Sequence, residues 1–142
     1  MSLNVLVVDD SAVMRSIIIK TLRLSGLPIG EVHQAGDGRE GLQVLDSNWI
    51  DLALVDINMP VMNGEEMIEA VRTNPETNSL PIVVVSTEGS DTRVEMLQKK
   101  GAEFVHKPFT PEILRHTISG MIGVTSDYGS ERGALPNSGL DF

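Results

Sequence analysis

Leu3-Asn4-Val5-Leu6-Val7-Val8-Asp9-Asp10-Ser11 decides how the rest of the chain is read. A short apolar run rich in valine has the length and composition of a buried strand. Two aspartates close it, and Ser11 is a good N-cap for the amphipathic stretch that runs to about Leu24. The unit is therefore strand, acidic end, helix. The same order recurs along the chain. Glu31 to Ala35 is a second strand whose polar positions suggest a sheet edge, followed by a helix from Arg39 to Asp46. Leu52 to Val55 is a third, continuously apolar strand ending in Asp56. Pro60 and Asn63-Gly64 mark a loop, and Glu65 to Arg72 a third helix that stops near Asn74-Pro75. Ile82 to Val85 is the fourth strand and ends in Ser86 and Thr87. A helix from Asp91 to Lys100 follows, closed by Gly101. Phe104 to His106 is a short fifth strand leading into Lys107-Pro108. Thr110 caps a last helix with Pro111 at its first position. Val13, Ile17, Ile18, Thr21 and Leu22 are the expected buried face of the first helix. Ile113, Leu114, Thr117, Ile118, Met121 and Ile122 are that of the last.

Five strand–helix units predict an α/β fold: a doubly wound, five-stranded parallel sheet with helices on both faces and right-handed crossovers. Residues 1–123 form one domain in this reading. Residues 124–142, rich in Gly, Ser, Asp, Asn and Pro, form a C-terminal tail or linker. Tyr128, Leu135, Leu140 or Phe142 is expected to hold that tail against its own domain or a neighbouring chain.

Composition narrows the function. The 142 residues carry a net charge of −9 and no cysteine, so disulfides and thiolate metal sites are excluded. An acidic surface repels phosphate backbones, which argues against direct nucleic-acid binding. No apolar run reaches the roughly 18 residues of a membrane helix, and the N-terminus lacks a basic leader, so the expectation is a cytoplasmic protein with no membrane partner.

Ligands of open α/β sheets bind beyond the carboxyl ends of the strands. There the topology gathers Asp9, Asp10, Asp56, Ser86, Thr87 and Lys107. Crowded carboxylates repel one another, and a hard divalent cation relieves that repulsion. A cation-loaded acidic pocket suits phosphoryl transfer, with an aspartate as nucleophile. Singly, each residue has a plainer reading: Asp9-Asp10-Ser11 as a helix cap, Asp56 as a loop acid, Ser86 or Thr87 as a cap, Lys107 as a solvated charge. Their conjunction at one sheet edge favours the functional one. Gly36-Asp37-Gly38-Arg39-Glu40-Gly41 matches the dinucleotide fingerprint literally, but it stands after the second strand, whereas that fingerprint belongs to the first strand–helix turn.

Asp9-Asp10-Ser11, Val55-Asp56-Ile57-Asn58-Met59-Pro60, Met62-Asn63-Gly64, Ser86 and Lys107-Pro108-Phe109 together resemble the receiver domains of two-component response regulators, most of all the single-domain CheY-like type. The likeness covers about residues 3 to 123. It implies strand order 2-1-3-4-5. It implies Asp56 as phosphoacceptor, with Ser86 and Lys107 touching the phosphoryl group. It implies Mg²⁺, with Mn²⁺ as a substitute, held by Asp10, Asp56 and the Asn58 main-chain carbonyl, with Asp9 acting partly through water. A cis bond before Pro108 follows from the same likeness. So do Ser86, Thr87, Glu88 and Phe104 as switching or modulating positions, Phe104 standing where such proteins often carry tyrosine. The implied partners are a sensor histidine kinase or phosphotransfer protein and a downstream protein target, reached through the face of helix four, strand five and helix five. The implied protein is a monomer or weak dimer, and not an enzyme beyond its own phosphoryl transfer and self-dephosphorylation. The rival reading is the receiver part of a longer regulator with a separate, for example DNA-binding, output domain.

Overall fold

The computed structural model describes residues 2–87 and 91–122. The elements are β1 (Leu3–Val8), α1 (Ala12–Leu24), β2 (Ile29–Ala35), α2 (Gly38–Ser47), β3 (Leu52–Val55), α3 (Gly64–Thr73), β4 (Ile82–Ser86), α4 (Asp91–Lys99), β5 (Ala102–His106) and α5 (Pro111–Ile122). Glu88 and the tail expectations for residues 124–142 lie outside the described residues.

All strand pairs are parallel, in the order β2-β1-β3-β4-β5. The expected fold and order are both found. Alternation along each strand explains why the runs are apolar throughout: successive side chains enter opposite layers. Leu6, Val8, Ala53, Val55, Ile82 and Val84 pack with Met67, Ile68 and Val71 of α3 and Leu97 of α4. Val5, Val7, Leu52, Leu54, Val83 and Val85 pack with Ile18 and Leu22 of α1 and Leu114 and Ile118 of α5.

The helix ends follow local chemistry. The Ser11 hydroxyl accepts from the Met14 amide, and Asp37 caps α2 through the Glu40 amide. Asn63 and Glu66 form a reciprocal capping box on α3. This box fixes where the loop after β3 must end, directly beside the sheet edge that carries the site.

Two helix faces differ from expectation. Val13 and Ile17 of α1 are 71% and 49% exposed, and Ile113 of α5 is 47% exposed. Each residue turns the helix by roughly 100°, so the stripe through Ile18 and Leu22 leaves Ile17 a full step aside and Val13 further round. Ile113 stands one such step from Leu114. The strands also begin earlier than read from hydropathy. β2 starts at Ile29 and β5 at Ala102, because ladder partners at Leu3 and Ile82 recruit residues that alternation alone does not mark.

Candidate functional site

Register builds the site. Val8 of β1 pairs with Val55 of β3, so the next residues, Asp9 and Asp56, stand side by side. The Asp56 amide donates to the Val8 carbonyl at 2.9 Å, and the Asp9 amide to the Ala35 carbonyl at 3.1 Å. Across the sheet, Ser86 pairs with His106, and the Lys107 amide donates to the Ser86 carbonyl at 2.9 Å. The order β1-β3-β4-β5 therefore sets Asp56 between the acid pair and the Ser86–Lys107 pair.

Asp9 is buried and held on every side. Its Oδ1 accepts from the Ser11 amide at 2.9 Å, its Oδ2 from Lys107 Nζ at 3.2 Å, and its carbonyl from Arg15 at 2.5 Å. Asp10 is exposed. Asp56 is buried, and its Oδ1 accepts from the Asn58 amide at 3.4 Å. Burial pushes the Asp56 carboxyl above its ordinary pKa, and the charges of Asp9 and Asp10 push the same way. Lys107 and the Asn58 amide oppose them. Lysine thus spends its hydrogen bond on Asp9 while still acting on Asp56 through space.

Carboxylate oxygens of Asp9, Asp10 and Asp56 all lie within 4.8 Å of one another. At such separations each ionised pair repels by roughly 3 kcal/mol at an effective dielectric of about 20. One lysine cannot neutralise three carboxylates. The donor set is all hard oxygen, which fits Mg²⁺ or Mn²⁺ and does not suit a soft metal.

The remaining expected residues are placed as follows. Ser86 is buried at the end of β4, Thr87 is exposed just beyond it, and Asn58 is exposed on the β3–α3 loop. The Lys107–Pro108 peptide is cis. Phe104 is half-buried against the α3–α4 layer, with its ring 6.3 Å from that of His106.

Three structural roles were not read from sequence. Arg15 grips the Asp9 carbonyl and reaches Gln34 of β2 at 3.0 Å. Its place one turn into α1, below an acid pair, was the available signal. Gly64 has no room for a side chain, because a Cβ there would stand 2.3 Å from the Asp56 carbonyl oxygen. The glycines of the apparent dinucleotide fingerprint serve packing: positions 38 and 41 abut Met62, Met67 and Val8.

The model of the response regulator receiver domain matches residues 5–119. The chain belongs to the response-regulator receiver family. This receiver is 36% identical over 130 residues to a chemotaxis protein CheY homolog of Campylobacter jejuni, covering 90% of this chain and 98% of that protein. It is 37% identical over 123 residues to chemotaxis protein CheY1 of Helicobacter pylori, covering 85% and 98%. Among solved structures, the chemotaxis response regulator CheY4 of Vibrio cholerae superimposes with a TM-score of 0.75 at 36% identity, covering 86% of this receiver and all of that chain. Among the described residues, no helix of the receiver is long and apolar enough to cross a membrane.

Proposed function

We propose that the receiver accepts a phosphoryl group on Asp56 from a sensor histidine kinase or phosphotransfer protein and passes the signal on by protein contacts. The carrying observation is the convergence of three carboxylates within 4.8 Å beside Lys107. Asp10, Asp56 and the Asn58 carbonyl would hold Mg²⁺ or Mn²⁺, with Asp9 assisting, and the bound ion would supply charge neutralisation at the phosphoryl oxygens. A carboxylate oxygen of Asp56 attacks phosphorus, an acyl phosphate forms, and the bond to the donor's nitrogen breaks as that nitrogen is protonated. Lys107 lies close enough to exchange its contact with Asp9 for a phosphoryl oxygen. The Ser86 hydroxyl takes another, with Thr87 beside it. Asn58, exposed on the β3–α3 loop, flanks the path of hydrolytic water.

Ser86 and Phe104 lie on paired strands, Phe104 opposite Val84 and Ser86 opposite His106. Movement of the Ser86 hydroxyl toward phosphate frees space for Phe104 to turn inward, and the α4–β5–α5 face changes shape for a downstream target. The kinship with CheY proteins favours a chemotaxis target over a fused DNA-binding output. Beyond its own phosphorylation and dephosphorylation, no enzymatic activity is proposed.

Isothermal titration with Mg²⁺ tests the metal half of this reading. Asp10→Asn is expected to weaken binding by about tenfold or more, since a ligand carboxylate and its charge are lost. Unchanged affinity in that variant counts against the assignment.

A further inference from the structure

We propose that Gly38, the first residue of α2, is a positioning residue for the loop that carries the phosphoacceptor site. The inference rests on the reading of the Asn58 carbonyl as a metal ligand. The loop between β3 and α3 is folded in a way its sequence does not favour. Val61 has φ +66°, in the left-handed region where a β-branched residue is an outlier. The Met62 amide donates to the Pro60 carbonyl at 2.7 Å, which closes a γ-turn of the rare kind around Val61. The Val61 side chain is 76% exposed, so no burial of its own compensates. Other contacts must hold the turn.

Two are present. The Gly64 amide donates to the Ile57 carbonyl at 2.9 Å and closes the loop on itself. The Gly38 amide donates to the Met62 carbonyl at 2.9 Å and fastens the loop to α2. That amide is one of the unpaired donors of a helix start, where the helix dipole adds partial positive charge.

The contact requires glycine for closeness. A Cβ at position 38 would stand 2.8 Å from both the Met62 carbonyl oxygen and Met62 Cγ, and 3.0 Å from Met67 Cβ. The first of these is backbone and cannot swing away, so a side chain must drive the loop off the helix. Only Gly26 and Gly101 among the described glycines have positive φ, so conformational freedom is not the reason for glycine here. Gly41, on the same helix, supplies the contrast. A Cβ there meets the tip of Met67 at 2.9 Å and Val8 Cγ2 at 3.2 Å, so its nearest neighbours belong to α3 and β1 and not to the loop. A loop displaced at Met62 shifts the segment back to Asn58, whose amide rests on Asp56.

The test is Mn²⁺ titration of the full chain by calorimetry, with a thermal melt in chelator for each variant. Gly38→Ala is expected to bind Mn²⁺ about tenfold more weakly than the unaltered protein, as loss of outer-shell support does. Gly41→Ala is expected to lower the melting temperature but keep the affinity. Adding Val61→Gly to Gly38→Ala, which lets the turn form without strain, is expected to recover most of the binding. Gly38→Ala that folds and binds Mn²⁺ normally, or Gly41→Ala that loses as much affinity, overturns the proposal. Should Gly38→Ala not fold, amide resonances of the unaltered protein decide it under Mg²⁺ titration. The Gly38 amide is expected to shift and the Gly41 amide to stay. A still Gly38 beside a shifting Asp10 overturns the proposal. Absence of any metal binding by the unaltered protein defeats the metal reading itself, and this inference with it.

Discussion

Asp56→Asn is expected to take up no phosphoryl group from acetyl phosphate in Mg²⁺, and the unaltered receiver to be labelled. The carboxamide has nearly the same shape but is no nucleophile at neutral pH, and it removes one of three crowded charges. The same exchange has a second consequence. Burial, aided by Asp9 and Asp10, raises the Asp56 pKa above its ordinary value. A carboxyl whose folded-state pKa is raised costs stability when ionised, and the cost disappears as pH falls through that pKa. In chelator at neutral pH, Asp56→Asn is therefore expected to melt above the unaltered protein, with the gap narrowing on acidification. Loss of phosphotransfer together with a gain in stability is the pairing that would distinguish a functional carboxylate from a structural one. Labelling by acetyl phosphate and melting curves in chelator across pH check the two halves.

Arg72→Ala is expected to do the opposite. Arg72 lies in the last turn of α3 and donates to the carbonyls of Lys100 at 2.6 Å, Leu80 at 2.8 Å and Asn78 at 3.2 Å. These carbonyls precede β4 and β5, at the sheet edge away from Asp56. Burial lowers the Arg72 pKa, yet guanidinium stays charged, so these are charge-assisted bonds. Truncation strips the charged donor from the part-buried Lys100 and Leu80 carbonyls and costs about 2–3 kcal/mol. For a domain of this size that lowers Tm by roughly 10 °C. Labelling of Asp56 at a temperature where the variant is folded should stay near normal. Calorimetry and acetyl phosphate labelling of one preparation check both.

The fold was legible because its dominant signal is local. Val5 to Val8, Leu52 to Val55 and Ile82 to Val85 are apolar without alternation, which only strands covered on both faces tolerate. Asp9, Asp56, Ser86 and Lys107 were legible because each immediately follows or ends a strand, so topology alone brings them to one edge. What was not legible depends on register and close approach. The starts of β2 and β5 are set by ladder partners. The exposure of Val13, Ile17 and Ile113 is set by which stripe of each helix meets the sheet. Gly38 and Gly64 show the same limit. Their meaning lies in how near Met62 and the Asp56 carbonyl come, distances that no motif encodes. The sequence pattern offered a nucleotide fingerprint at Gly36 to Gly41, and three-dimensional packing explains Gly38 and Gly41 without a nucleotide.

The most direct measurement of the central claim locates the phosphoryl group. The receiver is treated with acetyl phosphate and Mg²⁺, reduced with borohydride to convert phosphoaspartate to homoserine, and sequenced by mass spectrometry. Homoserine at position 56 alone, dependent on Mg²⁺, is the expected result; homoserine at another aspartate, or an equal yield at position 56 in chelator, contradicts the account.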